Sequence, residues 1–383
     1  MEFQIHFNQI DSWFFKESRP MDSLGNNEMQ SLFPPTAYTT SGVIRSMLGE
    51  YAGIDWTQYL QGKGTHHQLN DALDLCQELG NPKQAGDLGN LQLKGCFPSF
   101  QQTPLIPAPL NLIHSQKNNQ THYAFMQISS QTYQTDLGNV RLAEISNDLR
   151  GKPLENTWLE LSLFQALLKG ETPKPNDARV HTAQHIFTTD PRLGIAIDTT
   201  SHTTKQGQLY QTSHIRLHQD YGLTLFAQFH EQLNPKETFI RFGSEGRQAH
   251  AQIQPNALTL PPPTPSGNEK GLILYFLTHA NFNSNFIPEE IQKVTESNRT
   301  SYQGQIHGIE LQIESMILGK AVREGGWDLA HHKPKPAHQL VPAGSCWYIT
   351  TPDIQKAIET LHLTHIGQET QLGRGLIACG LWK

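Results

Sequence analysis

Short stretches in which apolar and polar residues alternate recur along this chain of 383 residues, and they limit the folds it can adopt. Phe3 and Ile5 alternate with polar neighbours near the start, and residues 222–230 show the same pattern. A period of two residues is typical of a strand with one buried face. Residues 37–50 instead carry an apolar stripe at helical spacing, and Thr36 precedes them as a candidate helix cap.

Strand and helix patterns interleave, with neither a regular βαβα run nor strands alone, which predicts an α+β protein with two open sheets. At roughly 150 residues per domain, the length favours two to three domains. The Leu-Asn-Pro sequence at 233–235 interrupts the strands and places a boundary between residues 1–232 and 233–383. Residues 51–180 have the character of a long, loose insertion, and a helix is predicted to begin at Pro288.

The composition excludes several classes of protein. Hydrophobic residues make up 37% of the chain and charged residues 17%, which argues against a coiled coil or a helical bundle. No apolar run is long enough to cross a membrane, and the start lacks the pattern of a signal peptide. The four cysteines form no C-x-x-C pair, so neither a thiolate zinc site nor a disulfide framework is expected. These features together predict a cytoplasmic protein.

The net charge of −6 argues against a free-standing nucleic-acid-binding protein, whose surface is usually basic. A local exception is residues 319–338, where four Lys or Arg residues face two Asp or Glu residues, a balance of +2. This glycine-containing segment also carries Trp327, and such a segment is suited to follow a phosphate backbone and to stack a base. The alternative interpretation is a solvated loop with a buried tryptophan.

Two further segments carry glycine or basic residues in patterns of interest. In Gly373-Arg374-Gly375, exposed backbone amides would form an anion-binding nest, and the alternative is a tight turn. Residues 181–218 predict a long hairpin with a polar, weakly basic tip. His181 and His185 have the spacing of a metal site on a helix, but their neighbours favour a strand. No metal site is therefore expected, and no motif indicates a cofactor.

Several motifs occur together and in order along the chain. They are Trp13-Phe14-Phe15 with Arg19-Pro20, then Leu32-Phe33-Pro34-Pro35 before Ser41-Gly42-Val43-Ile44-Arg45, then Leu193 to Asp198 with Lys205 to Tyr210, then 241–247, Trp327-Asp328, 334–336, 341–345 and Gly373-Arg374-Gly375. In this order they resemble the third subunit of the type III-B CRISPR (Cmr) effector complex, a member of the RAMP superfamily. Residues 51–180 carry little of this resemblance.

The resemblance implies two ferredoxin-like (βαββαβ, RRM-like) domains around a cleft, with the 51–180 insertion in the first. It also implies a non-catalytic subunit of an antiviral ribonucleoprotein that holds the 5′ handle of crRNA. Its neighbours would be the large polymerase/cyclase-like subunit and the first backbone RAMP subunit. The glycine-rich loop at 373–375 would approach the handle backbone, and the hairpin at 192–216 would cradle handle bases.

The predicted RNA contacts combine basic side chains, one aromatic ring and the glycine-rich loop. They are Arg19, Arg45, Arg192, Lys205, Arg216, Arg247, Lys320, Arg323, Trp327, Gly373, Arg374 and Gly375. For each basic residue the alternative is a surface or interface ion pair, and for Trp327 it is a place in the core. A groove lined with carboxylates would count against the RNA interpretation.

Two other functions remain open from the residues alone. A metal-independent endoribonuclease that processes repeat RNA would need a general base and a general acid, for which histidine is best suited. The predicted helix at 37–50 has no histidine, and His6 in the first strand has the character of a structural polar residue. A carbohydrate-binding or small-ligand-binding β-protein is the third possibility.

Overall fold

The computed structural model describes residues 1–17, 28–63, 73–84, 86–145, 150–198, 200–201, 203–296, 298–328 and 331–383, without the side chains of residues 196 and 204–209. Strands predominate. The helices are α1 Ala37–Tyr51, α2 Trp56–Leu60, α3 Leu75–Leu79, α4 Leu161–Leu168, α5 Ala183–Ile186 and α6 Ile354–Leu361, with a 3₁₀ turn at Glu231–Leu233.

The strands are β1 Glu2–Gln9, β2 Glu28–Gln30, β3 Gln92–Phe100, β4 Thr103–Pro107, β5 Leu112–Lys117, β6 Gln120–Phe125, β7 Gln127–Ile128, β8 Tyr133–Thr135, β9 Gly138–Val140, β10 Ala143–Glu144, β11 Lys152–Pro153, β12 Thr157–Glu160, β13 Val180–Thr182, β14 Phe187–Ile197, β15 Thr204–Leu217, β16 Tyr221–Gln228, β17 Glu237–Arg241, β18 Gln248–Pro255, β19 Gly271–Phe276, β20 Ile291–Glu296, β21 Arg299–Ile306, β22 Ile309–Ile317, β23 Val322–Glu324, β24 Trp327–Asp328, β25 Lys333–Pro334, β26 His338–Leu340, β27 Cys346–Thr350 and β28 Ile377–Trp382. The protein is therefore mixed α+β and rich in strands, as predicted.

The chain forms two compact units that interleave in sequence. The first contains residues 1–102, 184–258 and 323–337, and the second contains 103–183, 259–322 and 338–383. This division differs from the predicted boundary at 232/233, because β18 pairs with β1 from Phe3↔Pro255 to Gln9↔Ala249. The predicted insertion is also divided: β3 is a central strand paired with β16, whereas the chain after residue 102 belongs to the second unit.

In the first unit the strands of the main sheet lie in the order β3–β16–β1–β18–β17. Helix α1 lies between β2 and β3 in sequence and contacts β3 and β17. It begins where Thr36 Oγ1 accepts a hydrogen bond from the Thr39 amide, as its sequence predicts. Its buried side chains include Val43, Ile44, Met47 and Leu48. Between β16 and β18 the described chain holds only the 3₁₀ turn and β17.

A separate three-stranded sheet of the first unit, β14–β15–β2, contains the predicted hairpin. Strands β14 and β15 pair in antiparallel register from Phe187↔Leu217 to Ile197↔Thr204, so the hairpin prediction is confirmed.

In the second unit a six-stranded sheet has the order β20–β21–β22–β27–β19–β28. Its core includes Leu272, Phe276, Trp347 and Ile349, and helix α6 packs against β22 and β28. The prediction of a helix beginning at Pro288 is wrong, because the chain forms strand β20 from Ile291, and this strand pairs with β21. The sequence IQKVTE supplies β-branched residues that favour a strand, and the neighbouring strand supplies the hydrogen bonds.

Candidate nucleic-acid interface

The Trp13-Phe14-Phe15 segment and the turn at 241–247 meet in the first unit. Trp13 and Phe15 pack against the ring of Phe242, with centroid separations of 5.3 and 5.0 Å. The Ser244 amide donates to Phe14 O at 2.8 Å, and Gly243 adopts a φ of 96° beside that oxygen. A Cβ at Gly243 would lie 2.8 Å from Phe14 O, so a glycine suits this approach.

Three of the predicted RNA contacts come together around Asp11. We define Arg192, Arg216 and Arg247 as the arginine cluster. Arg192 Nη2 lies 3.3 Å from Asp11 Oδ2, Arg216 Nη1 lies 3.2 Å from Asp11 Oδ1, and Arg247 Nη1 lies 3.0 Å from Asp11 Oδ2. Asp190 also contacts Arg192 at 2.9 Å and Arg216 at 3.0 Å. The hairpin and the 241–247 turn thus place three guanidinium groups at one carboxylate.

His214 lies beneath the arginine cluster and is fully buried. Its Nδ1 is 3.2 Å from Ser12 Oγ, its Nε2 is 3.1 Å from Glu245 Oε2, and its ring stacks on Phe14. Burial lowers the pKa of His214, and the charge of Arg192 lowers it further. The imidazole therefore favours its neutral form, in which it connects strand β15 to the 241–247 turn.

Carboxylates balance the charge of the arginine cluster. Asp11, Asp190 and Glu245 face the three arginines, and hydrogen bonds from Arg192 and Arg216 lower the pKa of Asp190. Carboxylates beside these arginines are the feature expected to count against the RNA interpretation, and the contacts match the ion-pair alternative for all three residues. The guanidinium groups nevertheless stay accessible, with 48% of the Arg216 side chain exposed, and a guanidinium fork matches the geometry of phosphate.

The first strand of the hairpin presents different chemistry on its two sides. Asp190 and Arg192 alternate with Leu193, Ile195 and Ile197, and the three apolar side chains are exposed. Because successive residues of a strand point to opposite faces, one face is charged and the other is apolar. Exposed aliphatic side chains can pack against or between nucleobases.

Arg45 is used inside the first unit. Its Nε donates to Leu79 O at 2.8 Å and its Nη2 donates to Asp87 O at 2.6 Å. These bonds connect α1 to the chain at both ends of the 79–87 segment. The geometry favours a structural role for Arg45 over the predicted phosphate contact.

The glycine-rich loop forms a buried turn in the second unit. Arg374 is 1% exposed, and its Nε lies 3.0 Å from Glu369 Oε2. The Gly373 amide donates to Thr370 O and the Gly375 amide to His279 O. These two amides are not available for the predicted anion nest, because backbone carbonyls already accept from them. The tight-turn alternative describes this loop.

Trp327 is 56% exposed in β24, so the alternative that placed it in the core is wrong. Strand β24 pairs with β25, and Lys335 lies over the ring of Tyr38 at 4.2 Å in the same unit. Arg323 in β23 is also exposed, as is Lys320 in the second unit. Arg19 and the side chain of Lys205 lie outside the described residues.

His6, the histidine weighed for a ribonuclease, is buried in β1. Its Nδ1 is 3.2 Å from Thr224 Oγ1 and its Nε2 is 3.1 Å from Asn8 Oδ1. Burial is the main cause of its lowered pKa. These contacts are those of a structural polar side chain. Across the described ranges, no three His, Cys, Asp or Glu side chains are grouped to hold a metal ion.

Sequence reasoning missed Asp11, Asp190 and Glu245, which set the charge of the arginine cluster. One signal was available: Asp190 and Arg192 are two residues apart in the predicted hairpin at 181–218, and residues two apart on a strand share a face. The contribution of Asp11 depends on pairing between distant segments and has no local signal. Separately, none of the helices in the described part of the chain is long and apolar enough to span a bilayer.

Three of the solved structures similar to this chain show how distant the relationship is in sequence. A chain in the structure described as "Cryo-EM structure of the Type III-B Cmr-beta bound to cognate target RNA and AMPPnP, state 1" is 14% identical, with a TM-score of 0.46, and the alignment covers 91% of this chain and 86% of that chain. The corresponding structure with target RNA alone gives 14% identity and a TM-score of 0.45, with coverage of 91% and 86%. A chain of the Csm1-Csm4 cassette in complex with AMPPNP gives 10% identity and a TM-score of 0.31, with coverage of 92% and 88%.

Functionally curated proteins provide no match to the chain. The sequence model of one family, described as CRISPR-associated protein (Cas_Cmr3), matches residues 7–382. That range includes nearly all of both compact units, with the hairpin, the arginine cluster and the glycine-rich turn. The chain therefore belongs to the Cas_Cmr3 family of CRISPR-associated proteins.

Proposed function

We propose that this chain is a non-catalytic RNA-binding and assembly subunit of a type III-B CRISPR ribonucleoprotein, and that it holds the 5′ handle of crRNA. The observation that carries the proposal is the arginine cluster at the hairpin, in a chain of the Cas_Cmr3 family. Three guanidinium groups at one point offer several N–H donors to a phosphate. The subunit acts in the cytoplasm and needs no cofactor.

In this proposal the two faces of the hairpin have separate roles. The arginine cluster binds handle phosphates, which replace the carboxylates of Asp11 and Asp190 as partners of the guanidinium groups. Leu193 and Ile195 contact handle bases through the exposed apolar face. The exposed ring of Trp327 stacks a further base, and Arg323 contacts the backbone.

We also propose that each compact unit is a modified ferredoxin-like fold. That fold places its first strand between the third and fourth, with the second strand outside the third. The order β3–β16–β1–β18 in one unit and β22–β27–β19–β28 in the other supports this assignment. Each unit also has one helix at a crossover that this fold requires: α1 between the strands β1 and β3, and α6 between β27 and β28.

The proposed neighbours are the large polymerase/cyclase-like subunit and the first backbone RAMP subunit, which this chain would bridge. A net charge of −6 is compatible with a subunit that contacts few nucleotides and covers much of its surface with protein. The guide RNA would then be shared among several subunits.

A tagged chain purified with its co-expressed partner subunits tests the proposal. Sequencing of the bound RNA is expected to show one enriched, repeat-derived 5′ end. The triple variant Arg192→Gln, Arg216→Gln and Arg247→Gln is expected to lose this enrichment, whereas Arg45→Gln keeps it in the folded fraction. Bound RNA without a common 5′ end would contradict the proposal. Discrete cleavage of repeat RNA by the purified chain in EDTA would favour the endoribonuclease alternative.

A further inference from the structure

One face of the six-stranded sheet in the second unit carries a row of polar side chains. Gln292, Gln303, Gln312 and Thr350 are successive cross-strand neighbours on β20, β21, β22 and β27. The residues next to them in sequence, such as Ile291, Ile313 and Ile349, are buried in the core. The row therefore points away from the core of this unit.

The chain itself covers one end of this face with an extended segment. Asn139 in β9 donates to Asn298 O at 3.0 Å, and Ser315 Oγ donates to Arg141 O at 2.9 Å. The Arg141 guanidinium lies 3.4 Å from the carboxylate of Glu314, which also contacts Arg299. Within the chain, an extended segment thus covers this face and places an arginine against a glutamate of the sheet.

The other end of the face is an open groove with a volume of about 640 Å³. Its lining includes glutamine, threonine and glutamate side chains but no Lys, Arg or His. Glu290 and Glu310 are exposed at its rim. The groove therefore presents negative charge to whatever lies in it.

Hydrogen bonds along the row fix which atoms face the groove. A carboxylate only accepts, so Gln312 Nε2 donates to Glu314 Oε1 at 2.9 Å. Gln312 Oε1 then accepts from Gln303 Nε2 at 3.1 Å, which leaves Gln303 Oε1 as an acceptor at the groove. Gln305 Nε2 is directed to Glu310 at 3.4 Å, which leaves its carbonyl oxygen as an acceptor too. Acceptors in a lining without Lys, Arg or His are complementary to a guanidinium or ammonium donor.

The same features disfavour RNA as the occupant. Single-stranded RNA sites combine cations for phosphate with aromatic side chains for bases, and the lining of the groove has neither. We infer that the groove docks an extended segment of a partner protein whose Arg or Lys side chains meet Glu290, Glu310 and Gln303, as Arg141 meets Glu314. The inference rests on the proposed function only in requiring that the chain assembles with other proteins.

A photo-crosslinking amino acid in place of Gln303, in the complex reconstituted from co-expressed subunits, tests this directly. We expect a cross-link to another protein chain, in a peptide that contains Arg or Lys. A cross-link to RNA, a peptide without a basic residue, or no cross-link to another chain would overturn the inference. The RNA content of the same sample reports separately on the proposed function, because a complex without guide RNA contradicts that function alone.

Charge reversal gives a second measurement. The double variant Glu290→Lys and Glu310→Lys is expected to retain the cross-linked partner about tenfold more weakly, since like charges replace attractive pairs at the groove. Guide RNA is expected to stay bound. Glu359→Lys, on the exposed side of α6 in the same unit, is the matched control and is expected to retain the partner fully. Unchanged retention by the double variant, with its melting temperature preserved, would contradict the inference.

Discussion

Asp11 contacts all three arginines of the cluster, at 3.0 to 3.3 Å, and is itself half exposed. In the proposed function a phosphate must compete with this carboxylate for the same N–H donors. We expect Asp11→Asn to raise affinity for handle RNA about two- to fivefold and to steepen its salt dependence, because one competing charge is removed.

Fluorescence anisotropy of the assembled complex with labelled handle RNA measures both quantities. Asp220→Asn is the matched control: Asp220 is exposed in a turn with a φ of 67°, which asparagine also adopts readily. We expect no change in affinity for this control. Weaker RNA binding by Asp11→Asn at normal melting temperature would show that Asp11 instead positions the arginines for RNA.

Buried histidines make the stability of the protein depend on pH. Burial is the largest cause of the lowered pKa of His6, His214 and His362, each below the ordinary value of 6.5. Below that value the unfolded chain takes up protons that the folded chain does not. Their contribution is therefore complete above about pH 7, and stability falls as the pH drops towards about 5.

Melting temperatures measured across this pH range test that dependence. His6→Gln is expected to flatten it, because glutamine keeps a polar partner for Thr224 without a titrating group. His218→Gln, at an exposed position, is the control for the substitution itself. An identical pH profile for His6→Gln and the parent protein would refute the assignment to His6.

For single residues, the sequence shows which side chains could bind phosphate, but it does not show which of them are exposed in the fold. Arg192, Arg216 and Arg247 were predicted as RNA contacts and do meet at one place. Arg374 has the same chemistry in a comparable motif, yet it is buried beside Glu369. The difference lies in residues from a distant part of the chain: His279 O accepts from the Gly375 amide and Asn281 donates to Glu369, which a local pattern of glycine and arginine does not contain.

The turn at 373–375 depends on a glycine at position 375. Gly375 has a φ of 68°, and a Cβ there would lie 1.9 Å from Ile366 O. We expect Gly375→Ala to lower the free energy of unfolding of this unit by about 3 kcal/mol or more, through backbone strain and the clash together.

Gly308→Ala is a matched control in the same unit. Gly308 has a φ of 76°, but a Cβ there would meet nothing within 4 Å, so only the conformational strain of about 1 kcal/mol is expected. Thermal denaturation of the two variants compares these costs. Equal losses would show that contact with Ile366 O contributes nothing.

Elements with a strong local period were predicted well. The apolar stripe and cap of α1 and the alternation of the hairpin are properties of contiguous residues, and both elements form where expected. Strand β20 was missed because Pro288, Glu289 and Glu290 resemble the first turn of a helix. Pairing with β21, which no local signal reports, decides the conformation there.

On the scale of the whole molecule, the order of segments in the sequence does not match their grouping in space. Strand β1 pairs with β18 along almost its full length, so residues 248–255 belong with the N-terminal strand in one unit. The break in the strand pattern at 233–235 lies between β16 and β17, which are consecutive in sequence and belong to the same unit. Composition and period predicted the α+β class, but strand partners depend on tertiary pairing.

The central claim is that the arginine cluster holds the 5′ handle of a guide RNA, and the salt dependence of binding tests it most directly. Affinity of the assembled complex for handle RNA is measured over a range of salt concentrations, for the parent protein and the Arg192, Arg216 and Arg247→Gln triple variant. The account predicts a slope shallower by about 2 in the variant, at roughly 0.7 per lost phosphate contact on single-stranded RNA. A slope equal to that of the parent protein would contradict it.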